Sequence, residues 1–277
     1  MIRVATYNIL HGALKGLDAI RDVLEAIDPD LVALQEVDRG VARSGRVDQA
    51  AWLAAHLGLD HAFACACPWE GGEYGLAILS RFPIAGTRLV RLPSRAILSL
   101  ADGAEPRIML AATVEAPGGL LHFACTHLGL HPTERSLQAE AIAAAVFGRE
   151  RLLLCGDLNE GHTEPAFVRL AGRVELPRPA DSGVAGAPGG ELHAAARPIA
   201  SPFGKPPGVG ESESLQPAGL IDCIGECAPL PLRTYPSHAP TIGIDHVLRS
   251  PDLPPARAAR AVDTQASDHL PVVVDLG

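Results

Sequence analysis

The sequence predicts an α+β domain in which two mixed sheets pack face to face, with helices outside. Three observations predict it. Strand and helix patterns alternate at the N-terminus, a succession of strand patterns without a helix follows, and helices then return before a last group of strands. The chain has 277 residues, of which 47% are hydrophobic, enough for one large core.

The elements follow in order. IRVATYN reads as the first strand. Leu17, Ile20, Leu24 and Ile27 recur at helical spacing, and Pro29 stops the helix. DLVALQEV is a second strand and QAAWLAAHLG a second helix. FACAC, YGLAILS, TRLVRL, RIMLAATVE and LLHFACTHL are strands separated by Gly/Pro turns, which predicts antiparallel pairing. HPTERSLQAEAIAAAVFG returns to helix, with Pro132 in its first turn and Gly148 at its end. RLLLCGDLN is a strand that runs into a loop, and Thr163 is expected to cap the helix EPAFVRLAG. Residues 173–217 are rich in Pro, Gly, Ala and Ser. They read as an insertion within a single domain spanning 1–277, expected to act as a lid, a substrate-shaping loop or a disordered excursion. GIDHVLRS, PARAARAV and LPVVVDL are the last strands.

Composition narrows the function. A formal net charge of −9 argues against a protein that grips nucleic acid through a wide basic surface. A nuclease stays open, because a bound divalent cation supplies local positive charge. The six cysteines read as reduced structural thiols, with Cys125 and Cys155 inside apolar runs. No apolar stretch approaches the roughly 20 residues that span a bilayer. MIRVATYNIL reads as a strand and not as a signal peptide, so the expected location is cytoplasmic.

Polar residues interrupt the strand pattern at its ends. Asn8 ends the first strand and Glu36 the second; His127 follows HFACT, and Asp157 and Asn159 follow LLLCG. Asp245 and His246 precede VL, and Asp268 and His269 precede LPVVV. Each alone has a plain reading as a turn residue, an Asx turn or a satisfied histidine. Together they are carboxylates, amides and imidazoles without compensating Lys or Arg, a poor structural salt bridge. They suit a hard cation with acid/base groups beside it.

TYNIL, LQEVD, GDLN, IDHVL and SDHLP, in that order and with YGLAILSRFPI and THLGL between them, resemble the endonuclease/exonuclease/phosphatase superfamily. That group contains deoxyribonuclease I, apurinic endonucleases and bacterial sphingomyelinases. The resemblance runs from Thr6 to Pro271 apart from the insertion. It implies a four-layer αββα sandwich with its site at one rim of the paired sheets. It also implies hydrolysis of phosphate esters with Mg²⁺, for which Mn²⁺ substitutes.

The resemblance implies roles residue by residue. Glu36 is the metal carboxylate, Asp268 a second ligand, and Asn8 belongs to the same set by orienting the ligand or a phosphate oxygen. Asp157 orients or deprotonates the attacking water, and Asn159 holds that water or a phosphate oxygen. His269 contacts the phosphoryl oxygen as an imidazolium paired with Asp245. His127 matches a second histidine that contacts phosphate or protonates the leaving group, which sets the chain apart from apurinic endonucleases. Glu73 is expected to orient His127. Arg107 is offered as a phosphate contact, although a surface arginine is its plainer reading. Strand alternation turns His246 to the opposite sheet face, and His11 and His131, near the motifs, are candidates to line the rim. IDHVL in place of a CDRIL-type motif argues against the inositol polyphosphate phosphatases. The expected substrate is a small-molecule or lipid-headgroup phosphodiester. A metal-dependent nuclease is the alternative, and a non-catalytic binding protein the opposing class.

Overall fold

The computed structural model describes residues 1–94, 105–172 and 218–277, which belong to one compact unit. The insertion expected at 173–217 lies outside the described residues. One six-stranded sheet has the order β11-β12-β1-β2-β4-β3. Its strands are β1 (Ile2–Asn8), β2 (Leu31–Arg39), β3 (Asp60–Trp69), β4 (Gly72–Ser80), β11 (Ala256–Ala261) and β12 (Val272–Leu276). The other has the order β5-β6-β7-β8-β10-β9. It contains β5 (Ile84–Arg91), β6 (Ile108–Ala116), β7 (Gly119–His127), β8 (Leu152–Asp157), β9 (Ile221–Asp222) and β10 (Asp245–Arg249).

Helices α1 (Gly16–Ile27) and α2 (Gln49–Leu57) cover the first sheet. Helices α3 (Pro132–Val146) and α4 (Pro165–Ala171) cover the second. The largest core lies between the sheets and includes Val4, Ala33, Phe123, Cys125, Cys155, Val247, Val272 and Val274. This is the four-layer αββα sandwich. Connections decide the strand directions. Helix α1 joins β1 to β2 and α3 joins β7 to β8, and both pairs are parallel, while the hairpins β3–β4 and β6–β7 are antiparallel. The VVV run is explained directly: Val272 and Val274 enter the inter-sheet core, and Val273 packs under the helices.

Alternation brings the polar strand ends together. Val4 and Thr6, Phe123 and Cys125, Leu153 and Cys155, and Val247 share the inter-sheet parity with Asn8, His127, Asp157 and Asp245. Asp157 and Asp245 are direct register partners on β8 and β10. Gly156 lets β8 approach β7 before Asp157, because a Cβ there would stand 2.0 Å from the Thr126 carbonyl oxygen.

Two expectations need correction. Thr163 does not cap α4. Pro165 takes the first turn, so the capping position falls on Glu164, which makes no side-chain cap hydrogen bond. The short strand β9 was not expected, since two residues carry no readable period.

Candidate active site

The site forms at the rim where β1, β2, β7 and β8 end and β10 begins, and the loop into β12 closes it. Alternation alone would send Glu36 to the helix-covered face with Leu34. A bulge intervenes: Leu34 pairs with Ala77 and Val37 with Gly75, so Gln35 and Glu36 face one partner residue. Glu36 also adopts a left-handed backbone, φ 59°. For a non-glycine residue this costs roughly 1–2 kcal/mol. The strained turn aims its carboxylate at Asn8.

Asn8 joins the two sheets. Its amide nitrogen lies 3.1 Å from Glu36 Oε1 and 3.2 Å from Asp157 Oδ2, and its carbonyl oxygen accepts the Leu10 N–H at 3.1 Å. The amide therefore orients both carboxylates. Its oxygen accepts the Leu10 N–H, and its N–H groups bridge Glu36 and Asp157.

Around Asp157 the polar groups are tightly engaged. Its Oδ1 accepts the Asn159 N–H at 2.8 Å, and its Oδ2 lies 3.3 Å from His127 Nε2 and 3.6 Å from His269 Nε2. Asn159, with φ 53°, donates its amide to the Leu128 carbonyl at 2.9 Å and lies 3.2 Å from His127 Nε2. His269 Nδ1 lies 2.9 Å from Asp245 Oδ2, which also accepts the Thr234 hydroxyl at 2.6 Å. The Tyr235 ring packs against His269 with centroids 4.8 Å apart.

The electrostatics separate these groups. Burial first, and then Asp245, push the Asp157 carboxyl up to about 7, while His269 works the other way. Burial lowers the proton affinity of His269. The charge and hydrogen bond of Asp245 overcome it, with help from Asp157 and Asp268, and hold the imidazolium up to about 10. His127 is pushed well below the usual histidine range by burial, Arg107 and His269, so it is neutral. Glu36 is raised by burial, against the Asn8 N–H, and raised further by Glu105 and Asp268.

Two donor sets can receive a divalent cation. Asp157, Asp245 and His269 each place one donor atom within 4.8 Å of the others, and Asp245 Oδ1 is buried without a hydrogen-bond partner. Glu36 and Asp268, the carboxylates that the resemblance assigns to the metal, are the second candidate set. Both are only partly buried. Both sets fit a hard cation in donor chemistry. The second keeps more lone pairs free, because the donors of the first are largely engaged by Asn8, Asn159, Thr234 and each other.

The other expected residues divide. Arg107 is buried at 8% exposure, pairs with Glu105 at 2.9 Å and lines a small pocket with His127 and Tyr74, so the surface reading is wrong. It precedes β6 directly, where the chain already runs between other elements. Glu73 does not orient His127. It sits on the β3–β4 hairpin, where its carboxylate is held by Arg39. His246 takes the opposite face as expected, its Nε2 2.8 Å from the Glu160 carbonyl. His11 Nδ1 lies 3.9 Å from Glu36 Oε2, whereas His131 is exposed ahead of α3. Sequence reasoning missed Thr234 and Tyr235, which lie in an aperiodic loop. It also missed Arg135 and Glu160, although Glu160 directly follows GDLN.

The fold and this rim define a class, and the chain belongs to the Endonuclease/Exonuclease/phosphatase family, whose model matches residues 5–269. The site brings together buried carboxylate and imidazole donors, Asp157, Asp245 and His269, whose chemistry suits a divalent cation. Among curated proteins the chain is similar to YbhP of Escherichia coli strain K12, with 30% identity over 157 residues. That match takes in 52% of this chain and 59% of YbhP, so the chain spans under two thirds of the length of the curated relatives it matches. Among solved structures it is similar to an endonuclease/exonuclease/phosphatase from Beutenbergia cavernae, at 22% identity and a TM-score of 0.64 over 100% of this chain and 72% of that one. It is also similar to the mannosyl-6-phosphatase Bt3783 of Bacteroides thetaiotaomicron, at 16% identity and a TM-score of 0.65 over 100% of both chains. These likenesses carry the fold. No helix among the described residues is long and apolar enough to cross a membrane.

Proposed function

We propose that this chain is an Mg²⁺-dependent phosphodiesterase acting on a small-molecule or lipid-headgroup diester. One observation carries the reading: Asp157 stands within reach of His127, His269 and Asn159, and the Asn8 amide links it to Glu36. Glu36 and Asp268 would hold Mg²⁺, with Mn²⁺ as a substitute. When bound, the cation screens the charge of the phosphate and polarises its oxygen.

The chain's own residues do the rest. Asp157, as carboxylate, orients the attacking water and takes its proton. Its raised proton affinity matches it to that task near neutral pH. Asn159 keeps Asp157 ionisable through its N–H and holds the position of His127. His269, charged and fixed by Asp245, donates from Nε2 to the phosphoryl oxygen where negative charge grows. His127 is held neutral, so it contributes a hydrogen bond to phosphate or leaving oxygen and is a weak proton donor.

The nuclease reading is second, because the net charge of −9 disfavours a polyanion. The fold is shared with a mannosyl-6-phosphatase, so a monoester belongs in the test. The purified chain is assayed with Mg²⁺ and with EDTA on bis-p-nitrophenyl phosphate, p-nitrophenyl phosphate, plasmid DNA and sphingomyelin. Diester cleavage without DNA nicking, abolished by EDTA, is expected. Nicking at low enzyme concentration replaces the reading with the nuclease. Inactivity on all four with no Mg²⁺ binding overturns it.

A further inference from the structure

Behind the site lies a buried ion pair that the reaction does not touch. Arg135, in the first turn of α3, is 9% exposed, and Glu160, directly after Asn159, is 4% exposed. Arg135 Nε donates to Glu160 Oε2 at 2.7 Å. Arg135 Nη1 donates to the carbonyls of Leu130 at 2.6 Å and Gly129 at 3.3 Å. Glu160 Oε1 accepts the Phe167 N–H at 2.8 Å, and the Glu160 carbonyl lies 2.8 Å from His246 Nε2.

These bonds tie together two loops. Residues 128–130 follow His127, and residues 158–160 follow Asp157. The loops meet again in front, where Asn159 Nδ2 reaches the Leu128 carbonyl and His127 Nε2. A buried ion pair adds little stability over apolar residues of the same volume, so stability alone is a weak reason for it. Geometry is a stronger one. Asn159 holds a left-handed backbone at φ 53°, and such a conformation persists only where its surroundings over-determine it. Glu160 is the next residue and is fastened at three points.

We propose that Arg135 and Glu160 are positioning residues that, through Asn159 and the loop at Leu128, hold His127 in register with Asp157. The inference rests on the hydrolase reading only for its kinetic arm. Arginine is required because its planar fork serves the carboxylate and two carbonyls at once; a lysine ammonium keeps the charge but loses that shape.

The experiment compares the full chain with Arg135→Lys, alone and combined with His127→Ala. Hydrolysis of bis-p-nitrophenyl phosphate with Mg²⁺ is measured for kcat and KM separately. The ¹⁵N signals of the His127 imidazole are read by NMR in Arg135→Lys, and thermal unfolding is recorded throughout. Arg135→Lys should lower kcat about 10- to 100-fold, as a misplacement near 1 Å does, with KM nearly unchanged. It should also shift the His127 signals while unfolding remains cooperative. Adding it to His127→Ala should cost less than about threefold, because the two act through one path. Full kcat, or an equal loss in both backgrounds, overturns the brace. If no hydrolysis is seen even in the parent, the functional reading fails. The NMR arm then decides alone: moved His127 signals support the brace and unmoved ones overturn it. If the lysine variant does not fold, Arg135→Met with Glu160→Leu removes both charges together and is read the same way.

Discussion

The two walls of the site are built differently from the same residue types. On the wall of β1, β2 and the loop before β12, Glu36 and Asp268 are partly exposed, and Glu36 receives a single side-chain N–H. On the wall of β7, β8 and β10, Asp157 and Asp245 are about 1% exposed, and their oxygens, except Asp245 Oδ1, are held by Asn8, Asn159, Thr234 and His269. A hydrated Mg²⁺ needs open lone pairs and room for water, which the first wall offers. Proton transfer needs fixed geometry and shifted proton affinity, which the second wall offers. In the proposed mechanism, burial and hydrogen bonding, more than residue identity, divide the labour among the carboxylates.

The largest effect should come from the buried wall. Asp157→Asn or His269→Ala should cut kcat by about 10³-fold or more while leaving the fold cooperative, since each removes a group that acts in the transition state. Near-parental turnover in either variant would break the division. Next, Glu36→Gln should raise the Mg²⁺ concentration for half-maximal rate by about 10- to 100-fold, with a smaller change in the rate at saturation. An unchanged Mg²⁺ titration moves the cation elsewhere. Thr234→Val should lower kcat about tenfold by freeing Asp245, and Thr234→Ser should restore most of it.

A pH test separates the walls further. The proton affinity of His269 is higher in the fold than in the unfolded chain. Its contribution to stability is therefore fully present below the ordinary histidine value of about 6.5, and it is lost as pH rises through about 10. The unfolding midpoint of EDTA-treated protein should fall between those values, and His269→Gln should flatten that part of the profile. An identical slope in the variant would show that the pair with Asp245 is not holding the charge. The smallest effect is expected at the β3–β4 hairpin. Glu73→Gln should change kcat less than about twofold and stability within about 1 kcal/mol, because Glu73 serves an exposed pair with Arg39.

Much of this site was legible in the chain itself. Asn8, His127, Asp157 and Asp245 end or begin apolar strands at the same alternation parity, so a sandwich must bring them together. Glu36 was legible as a residue but not in its direction, which depends on the bulge opposite Leu76 and on a left-handed backbone. Arg107 was misread because a loop residue just before a strand gives no local sign of burial. Glu73 was misread because nearness in a motif does not fix the partner, and Arg39 is its register neighbour across β2 and β4. Thr234, Tyr235 and Arg135 act through contacts distant in sequence, and local pattern does not carry those.

In the proposed division, the half-open wall takes the metal and the buried wall handles protons. Isothermal calorimetry of Mg²⁺ binding to the parent chain, Glu36→Gln and Asp157→Asn tests it most directly. The expected result is binding lost or strongly weakened in Glu36→Gln and retained in Asp157→Asn. Retention in Glu36→Gln with loss in Asp157→Asn would contradict it and place the cation among Asp157, Asp245 and His269.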